Sequence, residues 1–89
     1  MTWKIEFDRD AQKELRKLDR QSAKRITNFL IEGLALRDNP RELGESLKGP
    51  ELGEYWKYRV GDYRIICKIQ DRQITILVIR IGNRREVYR

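Results

Sequence analysis

Two alternating runs separated by a two-residue turn constrain this chain more than any other feature. Tyr55-Trp56-Lys57-Tyr58-Arg59-Val60 leads into Gly61-Asp62, and Tyr63-Arg64-Ile65-Ile66-Cys67-Lys68 leads out. Gly-Asp between two such runs is a tight hairpin turn, because glycine reaches the positive φ that a two-residue connection needs. That turn length predicts the register: Val60 opposite Tyr63, Arg59 opposite Arg64, Tyr58 opposite Ile65, Lys57 opposite Ile66 and Trp56 opposite Cys67. Since paired residues share a face, one face carries Trp56, Tyr58, Val60, Tyr63, Ile65 and Cys67, which is a core. The other carries Tyr55, Lys57, Arg59, Arg64, Ile66 and Lys68, and is expected to be an open, cationic sheet face. Arg59 opposite Arg64 is a like-charge pair that costs about 0.2–1 kcal/mol, and such a cost points to an anionic ligand.

The remaining elements follow from periodicity. Trp3, Ile5 and Phe7 alternate with Lys4 and Glu6 as in a half-buried strand. Asp8 can cap a helix whose Ala11, Leu15 and Leu18 form one stripe. Asp19 or Ser22 opens a second helix with Ala23, Ile26, Phe29, Leu30 and Leu34 inward, stopping before Pro40. Residues 39–53 hold both prolines and three of the six glycines, which predicts an irregular connection with a short helical turn at 41–45. Strands are expected at about 54–60, 63–70 and 73–81, with turns at Gly61-Asp62, Asp71-Arg72 and Gly82-Asn83. The direction of Arg80 depends on the length of the Asp71-Arg72 turn. The order β-α-α-β-β-β is an α+β domain spanning 1–89, with a helical hairpin packed on one face of a mainly antiparallel four-stranded sheet.

Charge narrows the function. The 89 residues carry a net charge of +6. From Tyr55 onward the acids are only Asp62, Asp71 and Glu86, and this C-terminal part accounts for all of the net positive charge. A polyanionic partner is the expectation. The single Cys67 sits in an apolar run and reads as core. With no histidine to activate it, it is not a nucleophile. Asp62, Asp71 and Glu86 are scattered at turns, so neither metal nor other cofactor is expected. No apolar run approaches the roughly 20 residues that span a bilayer, and the start of the chain reads as a strand rather than a signal peptide. A reducing cytoplasm is the expected location.

The ends of this pattern carry a resemblance. The helix Ala11-x-Lys13-Glu14-Leu15-x-Lys17-Leu18, then Leu47-Lys48-Gly49, the hairpin Tyr55 to Ile66, and Val78-Ile79-Arg80-Ile81-Gly82-Asn83-Arg84-Arg85-Glu86-Val87-Tyr88 resemble the RelE/ParE superfamily of bacterial type II toxins over essentially the whole chain. The closing arginine and tyrosine are similar to those of the RelE branch. RelE toxins cut messenger RNA in the ribosomal A site and are blocked by a cognate antitoxin. The resemblance implies that Lys57, Arg64, Arg84 and Tyr88 are catalytic, and that Lys48, Arg59, Lys68 and Arg85 contact RNA. A second lysine of the family pattern falls at Tyr55 here. A RelB-like antitoxin, the ribosome and its mRNA are the implied partners, in a toxin–antitoxin hetero-oligomer. A ParE-like inhibitor of DNA gyrase and a non-catalytic nucleic-acid-binding module are the alternatives.

The implied chemistry is attack of the RNA 2′-hydroxyl on the adjacent phosphorus. It needs alignment, a base, cations for the charged phosphorane and an acid for the leaving 5′-oxygen. Arg64 and Arg84 suit the phosphate clamp, and Arg84 is also a candidate to assist the leaving group. Lys57 is the candidate base, and Tyr88 stacks on a base or orients the 2′-hydroxyl. Lysine or tyrosine would have to titrate roughly 3 units below its ordinary value to serve as base at neutral pH.

Overall fold

The computed structural model describes residues 2–47 and 55–83. Lys48, Arg84, Arg85 and Tyr88, and the expected fold-back of the closing segment, lie outside the described residues.

Strand β1 (Lys4–Phe7) leads into helix α1 (Arg9–Lys17) and helix α2 (Arg20–Asn28). The two-residue strand β2 (Glu45–Ser46), β3 (Tyr55–Val60), β4 (Tyr63–Gln70) and β5 (Thr75–Asn83) follow. They form one five-stranded sheet in the order β1-β5-β4-β3-β2, with β1 parallel to β5 and every other pair antiparallel. The α+β class and the helical layer on the sheet agree with the sequence reading. The sheet has one strand more than expected, because β2 is too short to show any period.

Each helix begins where a carboxylate meets free backbone N–H groups. Asp8 accepts from the Arg9 N–H at 2.8 Å, and Asp19 accepts from the Ser22 N–H at 3.0 Å. The Ser22 hydroxyl, followed by its backbone N–H, holds the Asp19 carboxyl below its ordinary range. Asp19, not Ser22, is thus the cap of α2. The single second helix expected from the apolar spacing is instead three pieces. After α2 comes a π-helical turn, Phe29–Gly33, and then a 3-10 turn, Leu34–Leu36. Leu30, Leu34 and Ala35 along these turns all face inward, at 0%, 0% and 3% exposure.

The core lies between these helices and one sheet face. Ala11, Ile26, Leu30 and Leu34 meet Tyr58, Ile65, Cys67, Ile76, Val78 and Ile81, all buried. Each large aliphatic side chain removed from water there contributes about 1.5–3 kcal/mol. Tyr58 is the largest of them, and its hydroxyl donates to the Pro40 carbonyl at 2.8 Å, so its polar atom is satisfied. That bond draws the 3-10 turn Pro40–Leu43 onto the sheet. Gly44 follows it so closely that a Cβ would lie 2.7 Å from the Tyr58 ring and 2.8 Å from the Lys57 carbonyl oxygen. Only a residue without a side chain delivers β2 to the edge of β3 at this separation.

The β3–β4 register is the one the turn length predicts, pair for pair from Val60↔Tyr63 to Trp56↔Cys67. Gly61 has φ +60, as such a turn needs. The β4–β5 connection differs from expectation. It is a 3-10 turn, Asp71–Gln73, closed by Ile74 in the left-handed region at φ 48. A β-branched residue is strained there. Its carbonyl accepts from the Lys4 N–H at 2.9 Å, so the start of β1 holds it in place. The last strand therefore runs later, and Gly82 and Asn83, expected to form a turn, are strand residues paired with Arg64 and Tyr63. A bulge between Ile66 and Cys67 resets the pairing, so that Ile66 faces Arg80 and Cys67 faces Val78.

Candidate nucleic-acid interface

The second face of the hairpin is built by the same alternation that builds the core. Tyr55, Lys57 and Arg59 project from β3, and Arg64, Ile66 and Lys68 from β4, with Arg59 directly opposite Arg64. Three of the eight predicted site residues, Lys57, Arg64 and Arg59, thus cluster about one stretch of sheet. Lys68 extends the face opposite Tyr55.

The face is not uniformly open, which corrects the sequence expectation. Arg59 is exposed and Lys68 half-buried, but Arg64 is 4% exposed and Ile66 6%. The reason lies in the strand order: β4 is the central strand, so its side chains are flanked by rows on β3 and β5. Parity tells which side a residue leaves the sheet, not how deeply its neighbours enclose it. Burial makes Arg64 more unusual, because its Nε has no hydrogen-bond partner among the described residues. A guanidinium N–H withdrawn from water without a partner costs more than an exposed one.

Lys57 is held differently. Its Nζ lies 3.2 Å from the Glu45 carboxylate, and Glu45 is its cross-strand partner on β2. The Lys57 side chain is 21% exposed and that of Glu45 72%. Glu45 was invisible to the sequence reading, since nothing in the irregular stretch marks a two-residue strand.

Around this face the fold is clamped by a second pair the sequence did not disclose. Arg41 donates to both carboxylate oxygens of Asp71, at 2.9 and 2.7 Å, and its guanidinium lies 5.8 Å from the centre of the Trp56 ring. The bidentate bond raises the Arg41 pKa and holds the Asp71 carboxyl below its ordinary range. Asp71 is therefore a structural anion. Among the described residues no three His, Cys, Asp or Glu side chains gather as metal ligands. Burial pushes the Cys67 thiol and the Tyr58 hydroxyl upward, so both are neutral and neither is a nucleophile.

Basic charge also lies on the helices, which the tally along the chain concealed. Arg9, Gln12, Lys13 and Arg16 line a groove of about 330 Å³ on α1. Its nearest acid along the helix facing the sheet, Glu14, is engaged: it accepts from the Ile81 N–H at 2.9 Å and lies 3.4 Å from Arg80 Nε. That contact settles the direction of Arg80, which pairs with Ile66 and reaches toward α1 at the sheet edge beyond β1. Among the described residues no helix is long and apolar enough to cross a membrane.

Residues 5–88 match the family model of the ParE toxin of type II toxin–antitoxin systems, parDE. The chain is 31% identical to the mRNA interferase toxin RelE of Escherichia coli K12, over 99% of this chain and 92% of the relative. It is 27% identical to toxin RelG of Mycobacterium tuberculosis, over 100% and 99%. In structure it is similar to a chain of the M. tuberculosis toxin–antitoxin complex RelBE2, with a TM-score of 0.85 at 25% identity, covering 94% and 93%. The isolated E. coli RelE toxin gives a TM-score of 0.72 at 27% identity, covering 97% and 90%. A basic sheet face on this fold and a match across nearly the whole chain define the class: the protein belongs to the RelE/ParE superfamily of type II toxins. Within it, the relatives in sequence and structure make it a RelE-like toxin.

Proposed function

We propose that this toxin is an endoribonuclease that cuts messenger RNA in the ribosomal A site, without a metal, through attack of the RNA 2′-hydroxyl. The observation that carries the reading is Arg64. It is buried, its Nε has no partner among the described residues, and it sits opposite a second arginine at a cost to the fold. An anion bound between the two arginines offsets their like charge, and a phosphodiester is such an anion. The name of the E. coli relative, mRNA interferase, supplies the polymer.

In this reading Arg64 and Arg84 hold the scissile phosphate and stabilise the phosphorane, with Arg84 assisting departure of the 5′-oxygen. Lys57 lies beside them, and Tyr88 stacks on the substrate or orients its 2′-hydroxyl. Lys48, Arg59, Lys68 and Arg85 hold the flanking backbone. No histidine is present to move protons near neutral pH, so alignment supplied by the ribosome carries much of the rate. Free RNA is then a poor substrate. A RelB-like antitoxin masks the basic face, in keeping with similar toxin–antitoxin complexes.

The test is a cell-free translation reaction supplemented with purified toxin, in which messenger 5′ ends are mapped. New 5′ ends on ribosome-bound messages support the reading, and intact messages on stalled ribosomes sink it. Because the matching family model is that of ParE, gyrase inhibition is the second reading. Loss of DNA supercoiling activity with messages intact would favour it.

A further inference from the structure

Helix α1 carries its cations on the side that the fold does not use. Ala11 is sealed in the core and Leu15 and Leu18 pack against it, so the helix buries that side against the sheet. Arg9, Gln12, Lys13 and Arg16, all exposed, recur at spacings of three and four residues and share the opposite side. They line the groove of about 330 Å³, and among the described residues no acid lines it with them. Asp10 and Glu14 lie on the flank, in a neighbouring trough shared with Lys13, Lys17 and Arg80. Glu14 is taken up by Ile81 and Arg80, and among the described residues none of Arg9, Lys13 and Arg16 forms an ion pair.

This stripe works against the helix that carries it. Arg9 stands in the first turn, where the helix dipole disfavours a cation. Arg9–Lys13 and Lys13–Arg16 are like-charge neighbours at spacings of four and three, which destabilise a helix. As with Arg59 and Arg64, a retained cost points to an anion. The lining decides which anion. It holds no apolar or aromatic side chain, so it offers an acidic peptide nothing to offset the entropy of ordering and a single strand no ring on which to stack its bases. The phosphates of a duplex need only cations. Gln12 adds an acceptor: its Nε2 donates to the Phe7 carbonyl at 3.0 Å, which leaves Oε1 for a donor. An ionised carboxylate has no proton to give it, whereas a ribose 2′-hydroxyl does.

We propose that Arg9, Lys13 and Arg16 form a second RNA-binding surface, which holds the phosphate backbone of duplex RNA while Gln12 accepts from a 2′-hydroxyl. The surface lies on the outside of the helical layer, and the basic sheet face lies on the other side of the molecule. The toxin thus holds structured RNA with one side and presents the other to a message. That division of labour rests on the nuclease reading above, but the duplex binding does not.

The experiment follows the fluorescence anisotropy of a labelled RNA hairpin duplex of arbitrary sequence against salt, for wild type and for Arg9→Gln/Lys13→Gln/Arg16→Gln. Loss of three phosphate contacts is expected to weaken binding roughly tenfold or more at low salt and to lower the slope of log affinity against log salt by about 2–3. Wild type should bind a DNA duplex of the same sequence several-fold more weakly, and Gln12→Ala should remove that preference. In wild type, NMR amide shifts on addition of the RNA duplex should cluster at residues 9–16. On programmed ribosomes the triple variant should raise KM several-fold with kcat unchanged. Unchanged duplex affinity and salt slope in the triple variant overturn the proposal, as do amide shifts confined to β3 and β4. So does a DNA duplex bound as tightly as RNA, and so does displacement of the duplex by polyglutamate at matched charge, which would assign the stripe to an acidic protein. If the wild type cuts no message, the nuclease reading falls while the anisotropy and the amide shifts still decide the surface.

Discussion

The two faces of the β3–β4 hairpin are made by the same twelve paired residues, and they are held by opposite physics. On one face Tyr58, Ile65 and Cys67 are sealed against the helices, and the phenol hydroxyl has a partner. On the other, Arg64 is also buried, yet its Nε has no partner among the described residues and Arg59 stands across from it. The first face lowers the free energy of the folded state. The second carries a like-charge pair and a buried N–H that work against folding, and a cost retained in the middle of a central strand points to binding rather than stability. Substitutions on the two faces should therefore separate folding from function.

The sharpest separation comes from the core. Ile65→Ala deletes a fully buried side chain and should destabilise by about 2–5 kcal/mol, read by denaturant unfolding. That is a large fraction of the stability of a domain this size. On the opposite side of the same strand, Arg64→Ala should lower message cutting by about 10²- to 10³-fold while thermal stability holds or rises, because a buried N–H without a partner among the described residues is removed. Equal losses of stability at the two positions would erase the distinction between the faces.

Smaller effects sharpen it. Gly44→Ala forces a Cβ into the Tyr58 ring and the Lys57 carbonyl, at a cost of about 1–3 kcal/mol. It should also loosen Glu45 from Lys57, so cutting falls along with stability. Tyr58→Phe strands the Pro40 carbonyl and should cost about 1–3 kcal/mol, with little effect on cutting by the molecules that remain folded.

The least effect belongs to the Arg41–Asp71 clamp, whose Asp71 side chain is 60% exposed. Arg41 holds the Asp71 carboxyl below its usual 3.8. Its contribution is then fully present above that value and is lost as pH falls through the lower, folded-state value. Asp71→Asn should remove part of the acid sensitivity of unfolding and, for an exposed pair, only about 0.2–1 kcal/mol of stability at neutral pH.

What could be read from the sequence follows from how local each determinant is. Gly61-Asp62 is a two-residue turn, so parity alone sets every β3–β4 pair and assigns Lys57, Arg59 and Arg64 to one face. The β4–β5 pairing could not be read that way. It depends on a 3-10 turn, on left-handed Ile74 held by Lys4, and on a bulge after Ile66. Gly82 and Asn83 looked like a turn because the residue types permit one, but β4 is long enough to pair with both.

The placement of the candidate residues was legible only where they lay on regular strands. Glu45 belongs to a strand of two residues that exists because Gly44 and Pro40 dock against Tyr58, and no local pattern announces such a contact. The depth of Arg64 depends on three strands meeting, and so on tertiary structure. The helical cations escaped notice because acids elsewhere in the first 54 residues balance them in sequence but not in space.

The most direct measurement places wild type and Arg64→Ala side by side in a cell-free translation reaction, mapping messenger 5′ ends and recording thermal unfolding on the same preparations. The account predicts abundant new 5′ ends with wild type, their loss with Arg64→Ala, and a melting temperature that is unchanged or higher in the variant. Cutting that survives the substitution, or that disappears only as far as the protein unfolds, would contradict it.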